Sequence, residues 1–227
     1  MGREELELLR GGIVKRKTKR HIGLFIDATG LDRATRRLDR KVDLASLVKG
    51  LTSGLKIEIA RYYSLIPYED DARQFAFLDA VERAGVEVIT KRLPPKGVKR
   101  QVSMDVHIAA DMISYAYGHF AEKAQEVESK AVANGNGGIV SSTNTLVTPP
   151  TGITQSNEPV KTETPREIRR VLTCVCPSRE LSYALFMANK LGVETSLADF
   201  GLYGTSDGWK GVDRWVDLST SETIWRG

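Results

Sequence analysis

Strand-length apolar runs alternate along this chain with stretches of helical spacing, and nothing else in the sequence limits the fold as tightly. Such alternation predicts an α/β domain with a mainly parallel sheet, because each helix carries the chain back to start the next strand. Five strands are expected, over His21–Asp27, Lys56–Leu65, Val86–Leu93, Arg169–Cys176 and Val193–Phe200. Helices are expected over Lys41–Gly50, Asp70–Gly85, Met104–Phe120 and Ser178–Gly192, with a short last one over Trp209–Leu218. The second of these has the fullest set of signals: acids in its first turn, an apolar stripe, and a glycine to end it.

Between Glu122 and Glu167 the alternation stops, and Gly, Ser, Thr, Asn and Pro take over. A structureless stretch of that length inside a compact domain is a functional loop or a disordered segment. Here it predicts a disordered insertion, residues 122–167, because the same alternation resumes after it. The chain then divides into a basic N-terminal arm (1–20), one domain made of 21–121 and 168–220, and a C-terminal tail (221–227). The hydrophobic share of 41% is enough for a core. No window approaches the length of apolar sequence that a membrane span needs, and "MGREELELLRGG" has three glutamates and no apolar core, so neither a span nor a leader is expected. Cys174 and Cys176, the two cysteines, are too close for a disulfide within one strand and lack C-x-x-C spacing. They read as buried thiols in a reducing, cytoplasmic setting.

Sites in open parallel sheets form outside the carboxyl ends of the strands. The run "IGLFID" delivers Asp27 to that edge, and Glu180 follows the fourth strand to the same side. Asp105 begins the long helix and Asp111 lies six residues on, which puts them about 120° apart around the axis. Asp105 alone would be an ordinary cap, whereas Asp111 sits between Ala110 and Met112, where an unpartnered acid is unfavourable. Converging carboxylates repel one another unless a cation joins them, and hard oxygen donors suit Mg²⁺ or Mn²⁺.

The stretches "IGLFIDATGL", "MDVHIAADMISYAY", "PSRELSYALFMANKLGVETSLADFG" and "VDRWVDL" together resemble the NYN domain, the LabA-like branch of the PIN-like ribonucleases. The central stretch carries most of the likeness, through Asp105, Val106, Ala109, Asp111 and Met112. The resemblance implies a three-layer α/β/α PIN-like (Rossmannoid) domain that cleaves RNA with Mg²⁺ or Mn²⁺. It makes Asp27, Asp105, Asp111 and Glu180 the catalytic acids, with Asp27, Asp111 and Glu180 on the metal and Asp213 structural. It also raises the expectation of a homodimer. Four positions depart from the family pattern. Gly30 stands where Asn is usual, Ser178 replaces the first aspartate of S-G-D-S-D-F, and Cys176–Pro177 replaces its Ser-Gly. Those departures keep a second expectation open, a catalytically weakened domain that binds RNA or a regulatory protein partner.

RNA, single-stranded above all, is the expected partner. The net charge of +4 is modest, but "KRKTKR" (Lys15–Arg20) and Arg33, Arg36 and Arg37 concentrate cations around the first strand. Lys99 and Arg100 form a second basic strip. Such groups hold a phosphate backbone without reading its sequence. Trp209 with Lys210 suits base stacking, while Trp215 reads as core packing of the last helix. A haloacid-dehalogenase-like phosphatase would need an aspartate where Thr29 stands, and a dinucleotide fold would need G-x-G-x-x-G after the first strand.

Overall fold

The computed structural model describes residues 19–52, 54–69, 71–120, 168–201 and 209–226. Most of the basic arm and the whole 122–167 insertion lie outside these residues. The described elements run β1 (Lys19–Asp27), α1 (Ala28–Leu38), α2 (Leu44–Thr52), β2 (Lys56–Ile66), α3 (Ala72–Arg83), β3 (Glu87–Arg92), α4 (Asp105–Tyr117), β4 (Ile168–Val175), α5 (Ser182–Lys190), β5 (Glu194–Asp199) and β6 (Arg214–Asp217). Short 3-10 turns at Arg179–Leu181 and Leu218–Thr220 complete them.

The strands form one six-stranded sheet in the order β3-β2-β1-β4-β5-β6, and every pairing is parallel. This is the α/β architecture the alternation predicts, with one strand more than expected. The extra strand is β6: "RWVD" is not a helix but extends the sheet edge, Trp215 lying beside Leu197. Helix α1 is also new. Its sequence, ATGLDRATRRL, buries only Ala28, Leu31 and Ala34, so its apolar stripe is short and made largely of alanine. The tail is held as well: Trp225 bridges to Val42, and the Arg226 amide donates to the Lys41 carbonyl at 2.8 Å.

Two apolar layers sandwich the sheet. On one face Leu24, Ile26 and Tyr62 meet Leu31 and Ala34 of α1, Leu47 of α2 and Leu78 of α3. On the other, Phe25, Tyr63 and Leu172 meet Ile108 and Met112 of α4 and Leu185 of α5. The glycine that interrupts the first apolar run has a packing reason. A Cβ on Gly23 would stand 2.9 Å from the Tyr115 ring, whose hydroxyl donates to the carbonyls of His21 (3.3 Å) and Val171 (3.2 Å). One helix of the second layer is thus clamped directly onto the two central strands.

Consecutive elements part company between β1 and β4. After β1 the chain turns into α1 on the first face; after β4 it turns into α5 on the second. A crevice opens at such a reversal of strand order, at the carboxyl ends of the two strands.

Candidate active site

A cleft of about 370 Å³ occupies that crevice. Asp27 enters it from the end of β1. Its backbone is extended, and its side chain accepts the Thr29 amide at 3.0 Å, capping α1. The same carboxylate is 5% exposed. Burial pushes its pKa from 3.8 up to about 6; the Gly30 and Thr29 amides pull it down, Asp105 pushes it up again and Arg33 pulls it down. An acid whose burial outweighs a helix cap is poised to gain from a cation.

Opposite, β4 is followed by Cys176, which adopts a left-handed backbone (φ 50°) unusual for a side-chain-bearing residue. Its amide donates to the Ala198 carbonyl at 2.8 Å. Its own carbonyl presses against α1 so closely that a Cβ at Gly30 would stand 1.8 Å from it. Gly30 is therefore glycine for want of space, and the Asn usual at that position would not fit here.

The turn after β4 brings Pro177, Ser178, Arg179 and Glu180 to the cleft wall. Ser178 Oγ donates to Asp105 at 2.7 Å, which ties the start of α4 to this wall. Asp199, at the end of β5, also lines the cleft. Its position repeats that of Asp27: a buried strand, "TSLAD", ends in an acid at the sheet's carboxyl edge. Burial above all, and the charge of Asp217, push its pKa upward, against hydrogen bonds from the Phe200 amide and the Cys176 thiol. Sequence reasoning passed over Asp199, although that signal was present.

Of the expected catalytic acids, Asp27 and Glu180 line the cleft and Asp105 borders it through Ser178. Asp111 is elsewhere. It accepts the Tyr63 hydroxyl at 2.7 Å and pairs with Arg61 at 2.7 Å. Arg61 also holds Glu87 at 2.7 Å and stacks on Phe120. The 120° between Asp105 and Asp111 sends one to the cleft and the other to a clasp that joins α4 to β2. The expected metal set of Asp27, Asp111 and Glu180 is therefore not assembled. Among the described residues no three of His, Cys, Asp or Glu come together in a group able to hold an ion.

The basic candidates divide too. Arg33 lines the cleft, and Arg179 joins it there. Arg36 is exposed and paired with Asp32 at 2.8 Å, and Arg37 is exposed. Lys99 and Arg100 are exposed on the loop before α4, and Lys210 is exposed beside Trp209. Arg20, the last cation of the arm, pairs with Glu194 at the amino end of the sheet, away from the cleft. Trp209 lines the cleft, and so does Trp215, which stands in neither core layer. Asp213 has the structural part expected of it, accepting the Thr195 amide and the Asn189 side chain at 2.8 Å each. Both cysteines are buried free thiols. No described helix is long and apolar enough to cross a membrane.

Comparison with known proteins agrees with this architecture. The family model of the NYN domain matches residues 21–123. A crystal structure of a protein of unknown function from Vibrio parahaemolyticus aligns with a TM-score of 0.61 at 11% identity, covering 92% of this chain and 98% of that one. At that identity the likeness concerns fold alone. No curated protein matches.

Proposed function

From its NYN domain, a PIN-like nuclease-type module of a kind that generally binds RNA, we propose that this chain is a divalent-cation-dependent ribonuclease. The observation that carries the reading is the buried Asp27 in a cleft at the strand-order reversal, with Asp105 tied to the cleft wall by Ser178. An acid whose proton affinity is raised by burial, and further by a neighbouring carboxylate, is chemically suited to a hard cation. Mg²⁺ commonly takes one or two carboxylates and completes its shell with water and substrate phosphate. A cleft without a closed cage of three protein ligands fits that habit. Asp27 and Asp105 would hold the ion, with Asp199 and Glu180 in reach of its water shell. When bound, it supplies charge stabilisation for phosphodiester hydrolysis.

The chain's own residues do the rest. Asp27 is fixed by the amides of the first turn of α1, so its carboxylate needs no rearrangement to act. Ser178 orients Asp105 through its hydroxyl. Arg33 and Arg179, both lining the cleft, suit the phosphates flanking the scissile one. Asp111 has no part in this chemistry; it braces α4.

The test is incubation of labelled single-stranded RNA with the protein in Mn²⁺ or EDTA. Cleavage in Mn²⁺, absent in EDTA and in Asp27→Asn, supports the reading. Intact RNA in every lane at high protein concentration would refute it. One observation favours a second reading, RNA binding without cleavage: Gly30 and Ser178 leave two family polar groups out of the cleft. That reading predicts metal-independent binding with the RNA left whole.

A further inference from the structure

The sheet register gives the cleft two storeys. Phe25, Cys174, Leu197 and Trp215 lie side by side across β1, β4, β5 and β6. Two residues further along, β1 and β5 reach Asp27 and Asp199. The carboxylate row thus stands about 6.6 Å beyond the Leu197–Trp215 row, at the usual rise per residue, and both rows offer side chains to one cleft. Trp209 closes the apolar storey from the loop before β6.

Trp215 is the informative residue. Large aromatics are normally buried in a core, yet this one belongs to neither core layer and is only half-buried. Its ring borders the cleft together with Trp209, Leu197 and Pro177. An acidic cleft for a cation alone gains nothing from two indoles. A cleft for a nucleotide does, because a base needs a π-face to stack on while its phosphate stays with the charged groups. The apolar storey lies below the carboxylates by about the reach from a phosphate to the base it carries. Arg33 and Arg179 line the same cleft and are exposed, as contacts to neighbouring phosphates would require.

We propose that Leu197, Trp209 and Trp215 form a pocket for one nucleobase next to the scissile phosphate, so that the site accepts only RNA unpaired at the cut. This rests on the ribonuclease reading above and adds its specificity. A base held in a duplex cannot enter the lower storey unless it leaves its stack, which disfavours paired substrate.

Binding in EDTA tests the pocket without cleavage. Trp225, the third tryptophan, is held away from the cleft against Phe200 and Arg40, so cleft binding is read from Trp209 and Trp215. Short single-stranded RNA should quench the intrinsic fluorescence. Trp215→Ala should weaken binding about tenfold, the scale of one lost stacked base, with Trp215→Phe restoring most of it. On the unmodified protein, oligonucleotides abasic at successive positions should show the same loss at one position only, and a hairpin of equal length should bind as weakly. Unchanged affinity in folded Trp215→Ala, with a flat abasic scan, would overturn the pocket while leaving the nuclease standing. No binding of any RNA, with no cleavage in Mn²⁺, would overturn the nuclease reading and the pocket with it.

Discussion

Asp27 serves two purposes that pull its proton affinity in opposite directions. As the cap of α1 it accepts backbone amides, which favours the charged form; as a buried cleft acid it is disfavoured in that form, and burial wins. The folded protein therefore binds the Asp27 proton more tightly than the unfolded chain. The resulting stabilisation is complete below pH 3.8 and is lost as pH rises through about 6. Asp27→Asn keeps a good cap and removes the charge, so metal-free protein should gain about 2 kcal/mol at pH 8, allowing for the part of the carboxylate that meets water. Urea titrations at pH 8 and pH 3.5 should show the gain at the first and none at the second. At subsaturating Mn²⁺, cleavage by the wild type should fall as pH drops below about 6, because the proton then competes with the cation for Asp27. Asp111 gives the opposite signature. Asp111→Asn should lower stability by about 1 kcal/mol by weakening the Arg61 clasp, with kcat within about twofold of the wild type, which amounts to under half a kcal/mol of barrier. A loss of cleavage without a loss of stability would contradict this placement. Asp27 was legible in the sequence because an apolar run ended on an acid. Asp199 is less legible, because the buried strand it ends begins with the polar Thr195 and Ser196. Asp111 looked catalytic because its partners, Arg61 and Tyr63, lie 50 and 48 positions away in the chain, where no local pattern could link them.

Among the elements, the contact of α1 with the end of β4 decides the shape of the cleft. Gly30→Ala would drive a methyl into the Cys176 carbonyl, and main chain cannot swing aside as a side chain can. The loss should be at least about 3 kcal/mol, seen as a lower urea midpoint or as failure to recover folded protein. Gly23→Ala meets an aromatic ring pinned by two hydrogen bonds, and should lose about 1–2 kcal/mol by the same measurement. If the two substitutions proved equally mild, the close approach at the switch point would be wrong. Four of the helices and five of the strands could be read from periodicity, since each shows an apolar face to a core layer. Helix α1 escaped because three small or medium side chains suffice to bury it and arginines fill the remainder. Strand β6 escaped because its four residues, with a tryptophan and a valine near helical spacing from Val212, imitate a helix. The left-handed turn at Cys176 had no sequence signal, since a cysteine gives no warning of positive φ.

On the scale of the whole molecule, support and chemistry occupy opposite ends of one sheet. At the amino end the Glu58 side chain, only 2% exposed, is held by His21 at 2.6 Å and faces Arg170 at 3.4 Å. Glu58→Ala would leave the Arg170 charge and the His21 ring without their acid and should cost about 3–5 kcal/mol, while activity per folded molecule, corrected for the folded fraction by circular dichroism, stays unchanged. The carboxyl end is where strand order reverses and Asp27, Asp105, Glu180 and Asp199 gather around one cleft. The account stands on a cation being drawn to that gathering and not to the Asp111 clasp, and a crystal soaked in Mn²⁺ tests this directly through anomalous scattering. A peak beside the Asp27 and Asp105 carboxylates is the predicted result. A peak at Asp111, or none near Asp27 at an Mn²⁺ concentration that supports cleavage, would contradict it.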